Sequence, residues 1–181
     1  EFDHEVPHGT PGEALVRTKV PWIVTNGYWQ HPEWTAALLR NQWIHTGDML
    51  SKDEHGNLYF VDRTKDAIRR RGENISSMEV ENEVNAHDQV VECAVVPVAS
   101  SDTEQEVLAV VVSKPGEQID PASLIRFLEP RLPYFMIPRY VRFVDSLPKT
   151  PTGKIQKYVV RDSGLMEGTW DREAAGVKLN R

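Results

Sequence analysis

The sequence predicts an α+β fold, in which a small domain with a central β-sheet flanked by helices follows a β-rich stretch of chain. Two valine-rich segments, residues 90–98 and 107–113, are typical of buried strands. Capping signals at Ser76 and Asp120 indicate helices before and after these strands. Residues 1–61 are rich in turns and aromatic side chains, and we expect short strands there without a core of their own.

The β-rich stretch is expected to contain one helix and a hairpin. Residues 14–17 are predicted to form a short strand, and residues 34–40 a helix that follows a His-Pro-Glu sequence. Farther along, residues 43–50 and 58–61 are separated by a polar turn, so these two segments are predicted to pair as a β-hairpin.

A capping box predicts the first helix of the small domain. Ser76 and Glu79 have the spacing at which each side chain can bond the backbone N–H of the other. Ile75 and Val80 are placed to form the hydrophobic staple around this box. The helix is therefore expected to start after Ser76 and to run to about His87.

The second half of the small domain is predicted from a further cap and a third strand. Asp120 is followed by a proline, which is the usual order at a helix start, and apolar side chains then recur on one helix face. Residues 140–144 are predicted to be a strand, and residues 145–162 a basic loop with a short terminal element. From residue 163 onwards the chain is polar, and we expect a loosely attached tail.

Composition excludes several classes of protein. A net charge of −6 argues against a general nucleic-acid binder, because phosphate neutralisation needs a dense basic surface. The single cysteine, Cys93, excludes an intramolecular disulfide framework, fits a cytoplasmic location and is expected to be a buried packing residue. The six histidines lack metal-ligand spacing, and no apolar run approaches the ~20 residues of a membrane span. The chain begins at Glu1 rather than Met, which we interpret as cleavage or excision from a longer protein.

Thr46-Gly47-Asp48 is the first candidate site, since it places a carboxylate just after a glycine turn. A carboxylate there can accept two hydrogen bonds from a vicinal diol such as a ribose. The alternative is an aspartate that only stabilises its own turn, as aspartates commonly do.

Arg69-Arg70-Arg71-Gly72 is the second candidate. On a strand, successive arginines point to opposite faces, so they would not form one patch, and a solvated strand is the alternative interpretation. Gly72 is the more informative residue. A glycine between a strand and a capped helix permits close approach of a ligand or of another backbone segment.

Thr152-Gly153-Lys154 is the third candidate and lies in a loop after a Leu-Pro pair. Glycine frees the backbone, and lysine offers a mobile point charge suited to phosphate or carboxylate oxygens. The spacing of a phosphate-binding P-loop is absent, so an ordinary surface turn is the alternative.

Taken together, these motifs resemble the C-terminal part of the adenylate-forming superfamily, which includes acyl-CoA synthetases, peptide-synthetase adenylation domains and beetle luciferases. The resemblance covers roughly residues 9–161, and within it Gly-Glu-Asn-Ile-Ser-Ser followed by Glu-Val-Glu resembles the acyl-CoA synthetase branch, nearest to crotonobetaine/carnitine–CoA ligases. The motifs that carry it are Gly27-Tyr28-Trp29, Trp43-x-x-Thr46-Gly47-Asp48, Asp62-Arg63-x-Lys65-Asp66, Arg71-Gly72-Glu73-Asn74-Ile75-Ser76, Glu79-Val80-Glu81 and Pro148-x-x-x-Thr152-Gly153-Lys154.

The resemblance implies a two-step reaction, in which ATP and a carboxylic acid give an acyl-adenylate that coenzyme A then converts into a thioester. Mg²⁺ would be bound with ATP, and most of its ligands would lie in a large domain. No segment of this sequence matches the phosphate loop or the acyl pocket of that domain. The resemblance implies that Lys154 is the catalytic residue of adenylation and also contacts the nucleotide. It implies that Asp48 and Arg63 bind ATP or AMP and that Lys65 is the hinge. Coenzyme A would be bound by Gly72, Glu73 and Asn74.

The resemblance also implies a division of the chain and a set of partners. Residues 1–61 would be the end of the large domain, residues 62–66 the hinge, residues 67–162 a mobile C-terminal domain and residues 163–181 a polar tail. The expected partners are the carboxylic acid, coenzyme A and the remainder of the large domain, with no nucleic acid. This fragment by itself is expected to be inactive.

One departure and two alternatives qualify the resemblance. In the loop 101–106, Gln105 stands where relatives usually have glycine, so no coenzyme A contact is assigned to this loop. The first alternative is a non-catalytic module that binds a nucleotide or a partner adenylation domain. The second is a fragment of a peptide-synthetase adenylation domain, after which a carrier-protein domain would be expected.

Overall fold

A computed structural model of the chain describes residues 3–20, 22–100 and 104–179. The chain divides into two compact units, Glu1–Lys65 and Asp66–Arg181. Among the described residues, no helix combines the length and the apolar character that crossing a membrane requires.

The first unit is built around a sheet in which β2 lies between β1 and β3, with antiparallel pairing on both sides. The predicted strand, helix and hairpin are all confirmed. The helix, however, starts two residues earlier than predicted because Pro32 occupies its first turn, and it is followed by a 3₁₀ turn. The elements are β1 Gly12–Val16, α1 Pro32–Leu38, the 3₁₀ turn Arg40–Gln42, β2 Ile44–Lys52 and β3 Leu58–Arg63.

The second unit contains a short hairpin and a larger mixed sheet. In the larger sheet β6 pairs with β7 antiparallel, β7 with β8 parallel, and β8 with β9 antiparallel. The strands are β4 Ile68–Arg70 and β5 Glu73–Ile75 of the hairpin, then β6 Val90–Ala99, β7 Gln105–Ser113, β8 Tyr140–Phe143 and β9 Trp170–Asp171. The helices are α2 Ser77–Asn85, α3 Pro121–Leu128 and α4 Lys157–Ser163.

Helices cover both faces of the larger sheet, which confirms the predicted fold class. Alternate residues of β7 divide between two apolar clusters: Ala109 packs in the cluster that includes α2 and α3, whereas Leu108 packs in the one that includes Val160 of α4. A sheet buried on both faces explains why its strands are valine-rich without polar alternation. Cys93 is buried in this sheet as predicted, and burial, with the nearby charge of Glu81, raises the pKa of its thiol.

Both predicted helix caps are present. The Ser76 hydroxyl accepts a hydrogen bond from the backbone N–H of Glu79 at 3.2 Å. The Asp120 carboxylate accepts from the backbone N–H groups of Ala122 and Ser123. These contacts satisfy N–H groups that have no partner inside the helix, so each helix starts where the sequence predicts.

The prediction of a loosely attached tail after residue 163 is wrong. β9 pairs with β8, Arg139 and Asp171 form an ion pair of 3.2 Å, and the Arg172 side chain is buried. Val177 and Leu179 pack against the main apolar cluster. Although this segment is polar in composition, a few of its side chains anchor it to the rest of the second unit. The segment is therefore an integral part of that unit.

A buried ion pair joins the β4–β5 hairpin to the larger sheet. The Nε atom of Arg70 lies 2.7 Å from Oε2 of Glu106, and both side chains are at most 5% exposed. Arg70 also donates to the carbonyl oxygens of Phe135 and Ile137. The hairpin is thus held by a charged contact from which water is excluded.

Breaking this pair is expected to destabilise the chain strongly. Glu106→Gln keeps the shape of the side chain but leaves the Arg70 charge uncompensated, so the free energy of unfolding in urea should fall by about 3 kcal/mol. Glu83→Gln is the matched control, because it breaks the exposed pair with Arg131 and should cost at most about 1 kcal/mol. Equal losses in the two variants would contradict this assignment.

Candidate functional site

The structure places the predicted Thr46-Gly47-Asp48 turn inside strand β2, as a bulge in the pairing of β2 with β1, and groups other than the Asp48 carboxylate hold this turn. Gly47 has a positive φ of 73°, and its backbone N–H donates to the carboxylate of Glu13 at 3.0 Å. The Thr46 hydroxyl donates to the carbonyl of Ala14 and accepts from the backbone N–H of Asp48. The turn therefore does not need the Asp48 side chain for its stability.

The Asp48 carboxylate lies instead against Arg63. The two residues are directly opposite each other on β2 and β3, and Nε of Arg63 is 3.3 Å from Oδ1 of Asp48. The Asp48 side chain is 38% exposed and the Arg63 side chain is 69% exposed. The structure thus brings together the two residues to which the sequence assigns nucleotide binding, on a surface that a ligand can reach.

An open pocket of about 570 Å³ adjoins this turn within the first unit. Its wall includes the aromatic rings of Tyr28 and Trp34, which meet edge to face with centroids 5.8 Å apart. Its polar lining consists of Glu13, Arg40, His45, Thr46, Thr64 and Lys65. Aromatic rings beside two cationic side chains suit a nucleotide, since rings stack on bases and cations attract phosphates.

The presence of Glu13 and Arg40 at this site was not predicted from the sequence. Glu13 bonds the turn and also lies 2.9 Å from Nδ1 of His45, so it organises two neighbouring residues at once. It precedes them by more than thirty residues, and only the pairing of β1 with β2 brings it close. No local sequence pattern carries that information.

Arg71 and Gly72 form the two-residue turn of the β4–β5 hairpin. Their φ angles are +52° and +83°, the combination that the tight type I′ hairpin turn requires. A Cβ atom added at Gly72 would meet nothing within 4 Å, so glycine is not needed there for packing. The turn presents an open surface, with Glu73 and Asn74 following it on exposed β5 positions.

The arginine run alternates as the sequence predicts. Arg70 is buried in its ion pair with Glu106, whereas Arg69 and Arg71 are exposed. The backbone N–H groups of Arg69 and Arg71 donate to the side chains of Gln105 and Glu104, respectively. Gln105 therefore fastens β4 through its side chain. Residues 101–103 of that loop lie outside the described residues.

Lys154 is exposed at the end of a compact, internally bonded loop. The backbone N–H of Thr150 donates to the carbonyl of Lys154 at 2.8 Å, and the N–H of Lys154 donates to the Thr150 hydroxyl at 3.1 Å. Gly153 closes the turn with a φ of +83°. Across the described ranges 3–20, 22–100 and 104–179, no carboxylate lies within ion-pair distance of its ammonium group. The cation is therefore available to a ligand.

The Lys154 loop and the Gly72 turn are attached at opposite ends of the β6–β7 ladder. Lys149, at the base of the Lys154 loop, pairs with Glu92 near the start of β6 at 2.7 Å. The hairpin that carries Gly72 is fixed through Glu106, which faces Val98 near the end of β6. Glu92 and Val98 are six positions apart on β6, which corresponds to about 20 Å. The second unit thus presents two separate candidate surfaces.

Comparison with known proteins agrees with these motifs. Residues 79–154 match the family described as the AMP-binding enzyme C-terminal domain. The chain is 42% identical over 156 residues to a feruloyl-CoA synthase of an Amycolatopsis species, covering 86% of this chain and 31% of that protein. It is 40% identical over 158 residues to the fatty acid–[acyl-carrier-protein] ligase ScoC of Streptomyces coeruleorubidus, covering 87% and 30%. The chain therefore spans about a third of the length of these relatives.

Solved structures show the same likeness. ATP-bound MatB from Rhodopseudomonas palustris superposes with a TM-score of 0.79 at 36% identity, over 90% of this chain and 32% of that one. The amide bond synthetase McbA from Marinactinospora thermotolerans gives a TM-score of 0.74 at 38% identity, over 88% and 32%. The narrower likeness to crotonobetaine/carnitine–CoA ligases is a prediction that these relatives do not test.

Proposed function

Since the chain belongs to the adenylate-forming superfamily and corresponds to the C-terminal part of its ligases, we propose that it is the C-terminal portion of an ATP-dependent acid–CoA ligase. The observation that carries this proposal is Lys154, whose ammonium group has no carboxylate partner within the described part of the chain and which ends a hydrogen-bonded loop. The relatives of the chain are named as a ligase and a CoA synthase.

In the first step, a carboxylate oxygen of the acid attacks the α-phosphorus of ATP and pyrophosphate leaves. Two anions must approach each other, so a cation between them stabilises the charge that develops in the transition state. Lys154 supplies that cation. Asp48 accepts hydrogen bonds from the ribose hydroxyls. Arg63, whose Nε atom lies 3.3 Å from Oδ1 of Asp48, orients the Asp48 carboxylate and contacts the nucleotide.

In the second step, the thiol of coenzyme A attacks the acyl carbonyl and AMP leaves. The turn at Gly72, with Glu73 and Asn74 beside it, borders the path of the pantetheine arm. Lys65 is the hinge about which the small domain turns between the two steps. The boundary between the two compact units falls directly after Lys65, which supports that assignment.

Partners and metal follow from the same proposal. The partners are a carboxylic acid, coenzyme A and the remainder of the large domain, in a cytoplasmic location and without nucleic acid. Within the described residues, no group of three or more His, Cys, Asp or Glu side chains could hold a metal ion. Mg²⁺ would be bound together with ATP, with most of its protein ligands in the large domain.

An acyl carrier protein is a second candidate for the thiol. The ScoC relative, named as a fatty acid–[acyl-carrier-protein] ligase, is about as similar to the chain as the feruloyl-CoA synthase is. Both thiols end in the same phosphopantetheine arm, so the Gly72 turn serves either one. A fragment of a peptide-synthetase adenylation domain, which would also activate a carboxylic acid, is one alternative. A non-catalytic binding module is the alternative if no acid is activated.

The proposal is tested by acid-dependent pyrophosphate release from ATP, with a panel of carboxylic acids, by this chain and by the full gene product. We expect release from the full gene product alone, followed by thioester formation with either coenzyme A or a phosphopantetheinylated carrier protein. Release by this chain alone would place an unrecognised phosphate site within these residues. Release by neither protein across the panel would favour the non-catalytic module.

A further inference from the structure

The loop that carries Lys154 is fastened on both sides, upstream to strand β6 and downstream to helix α2. Upstream of it, Lys149 pairs with Glu92 at 2.7 Å. Downstream, Nζ of Lys157 lies 2.7 Å from Oε1 of Glu81 and donates to the Ser77 hydroxyl at 2.8 Å. Only two residues separate Lys157 from Lys154, so this second contact fixes the backbone that leads directly into the candidate catalytic residue.

Lys157 occupies its position against the local preference of a helix. It is the first residue of α4, where the helix dipole disfavours a positive charge. Gln156 provides no side-chain cap, and a helix of seven residues is too short to be stable by itself. The start of α4 is therefore set by tertiary contacts, namely the Lys157–Glu81 pair and the buried side chain of Val160.

Glu81 is itself fixed to β6, the edge strand of the larger sheet. Its Oε1 atom accepts a hydrogen bond from the backbone N–H of Val95 in β6 at 2.8 Å. Ser77, the other partner of Lys157, is fully buried. The side chains of Lys157 and Glu81 are 18% and 13% exposed, so water screens their attraction less than in a surface pair.

We propose that Lys157, held by Glu81 and Ser77, is a positioning residue for Lys154 in the acyl-adenylation step. The inference rests on the proposed function. Without the Lys157 cation, Glu81 loses its charged partner and the start of α4 is released from β6. The ammonium group of Lys154 then spreads over a wider range of positions, and a misplacement of about 1 Å costs about 100-fold in rate.

The test uses the full-length enzyme and its two half-reactions. Lys157→Gln is expected to lower kcat for acid-dependent pyrophosphate release by about 10- to 100-fold, with little change in KM for ATP. Thioester formation from supplied acyl-adenylate should be nearly unchanged, because that step does not use Lys154. Lys157→Arg should restore most of the adenylation rate.

Arg131→Gln is the matched control. It breaks the ion pair between Arg131 and Glu83, and Glu83 lies on helix α2 together with Glu81, but Arg131 does not contact the Lys154 loop. Both half-reactions should be unaffected by it. Unchanged adenylation in Lys157→Gln, a parallel fall of both half-reactions, or no rescue by Lys157→Arg would each overturn the positioning role. Lys154→Ala and the unsubstituted enzyme separate the two ideas. If Lys154→Ala leaves adenylation intact, the role of Lys154 fails and the positioning role of Lys157 fails with it. If the unsubstituted full-length enzyme releases no pyrophosphate with any acid, the proposed function itself fails.

Discussion

Replacing Lys154 with alanine in the full-length enzyme is expected to abolish acyl-adenylate formation and to leave thioester formation from supplied acyl-adenylate largely intact. The ammonium group lies at the end of a loop stabilised by two hydrogen bonds between Thr150 and Lys154, so its removal should not disturb the fold. Preorganised charges of this kind contribute about a hundred- to a thousandfold in rate. The two half-reactions are measured separately, by pyrophosphate release and by thioester production.

Lys114→Ala is the control for this substitution. Lys114 is an exposed lysine that follows β7, so its loss changes the net charge by the same amount without touching the Lys154 loop. Both half-reactions should keep their rates in this control. If Lys154→Ala slowed the two steps equally, the residue would act through the fold or through a contact made in both steps, and its assigned role in adenylation would be refuted.

Replacing Gly72 with tryptophan is expected to have the opposite effect, blocking the thiol step and sparing adenylation. A side chain at this position extends into open space from the exposed turn, so a large ring obstructs whatever passes over the surface. Thioester formation should fall at least tenfold, whereas acid-dependent pyrophosphate release should change little. Using pantetheine in place of coenzyme A would show whether the obstruction affects the arm or the nucleotide end.

Gly72→Asn controls for the backbone conformation. The φ angle of +83° strains any residue with a side chain, but asparagine tolerates positive φ better than most. A small loss with Asn and a large loss with Trp would identify side-chain size as the cause. An unaffected thiol step in Gly72→Trp would remove the residue from the thiol path.

The elements that could be predicted from the sequence are those with local causes. Ser76 and Asp120 cap their helices through hydrogen bonds to residues two or three positions away, and such spacing is visible in the chain. The valine-rich strands were predictable because burial on both faces removes the polar alternation. The tail was mispredicted because its attachment depends on a few residues, such as Arg172, whose burial requires distant partners.

The candidate site divides in the same way. Asp48, Gly72 and Lys154 could be singled out because each follows or forms a glycine turn with a recognisable motif around it. The contacts of Glu13, Gln105 and Glu81 could not be predicted, since each acts on a segment brought near by strand pairing or helix packing. Motifs therefore identify the residues that would contact a ligand, whereas the residues that hold them in place emerge only from the fold.

In the proposed assignment of roles, the wide separation of the Lys154 loop and the Gly72 turn along β6 insulates the two chemical events from each other. A change of acceptor can be accommodated at one end of a stiff ladder without retuning the group that activates the acid at the other. The named relatives differ in this respect: one is a CoA synthase, one an acyl-carrier-protein ligase and one an amide bond synthetase. Such insulation lets one activating apparatus serve many nucleophiles over the course of evolution.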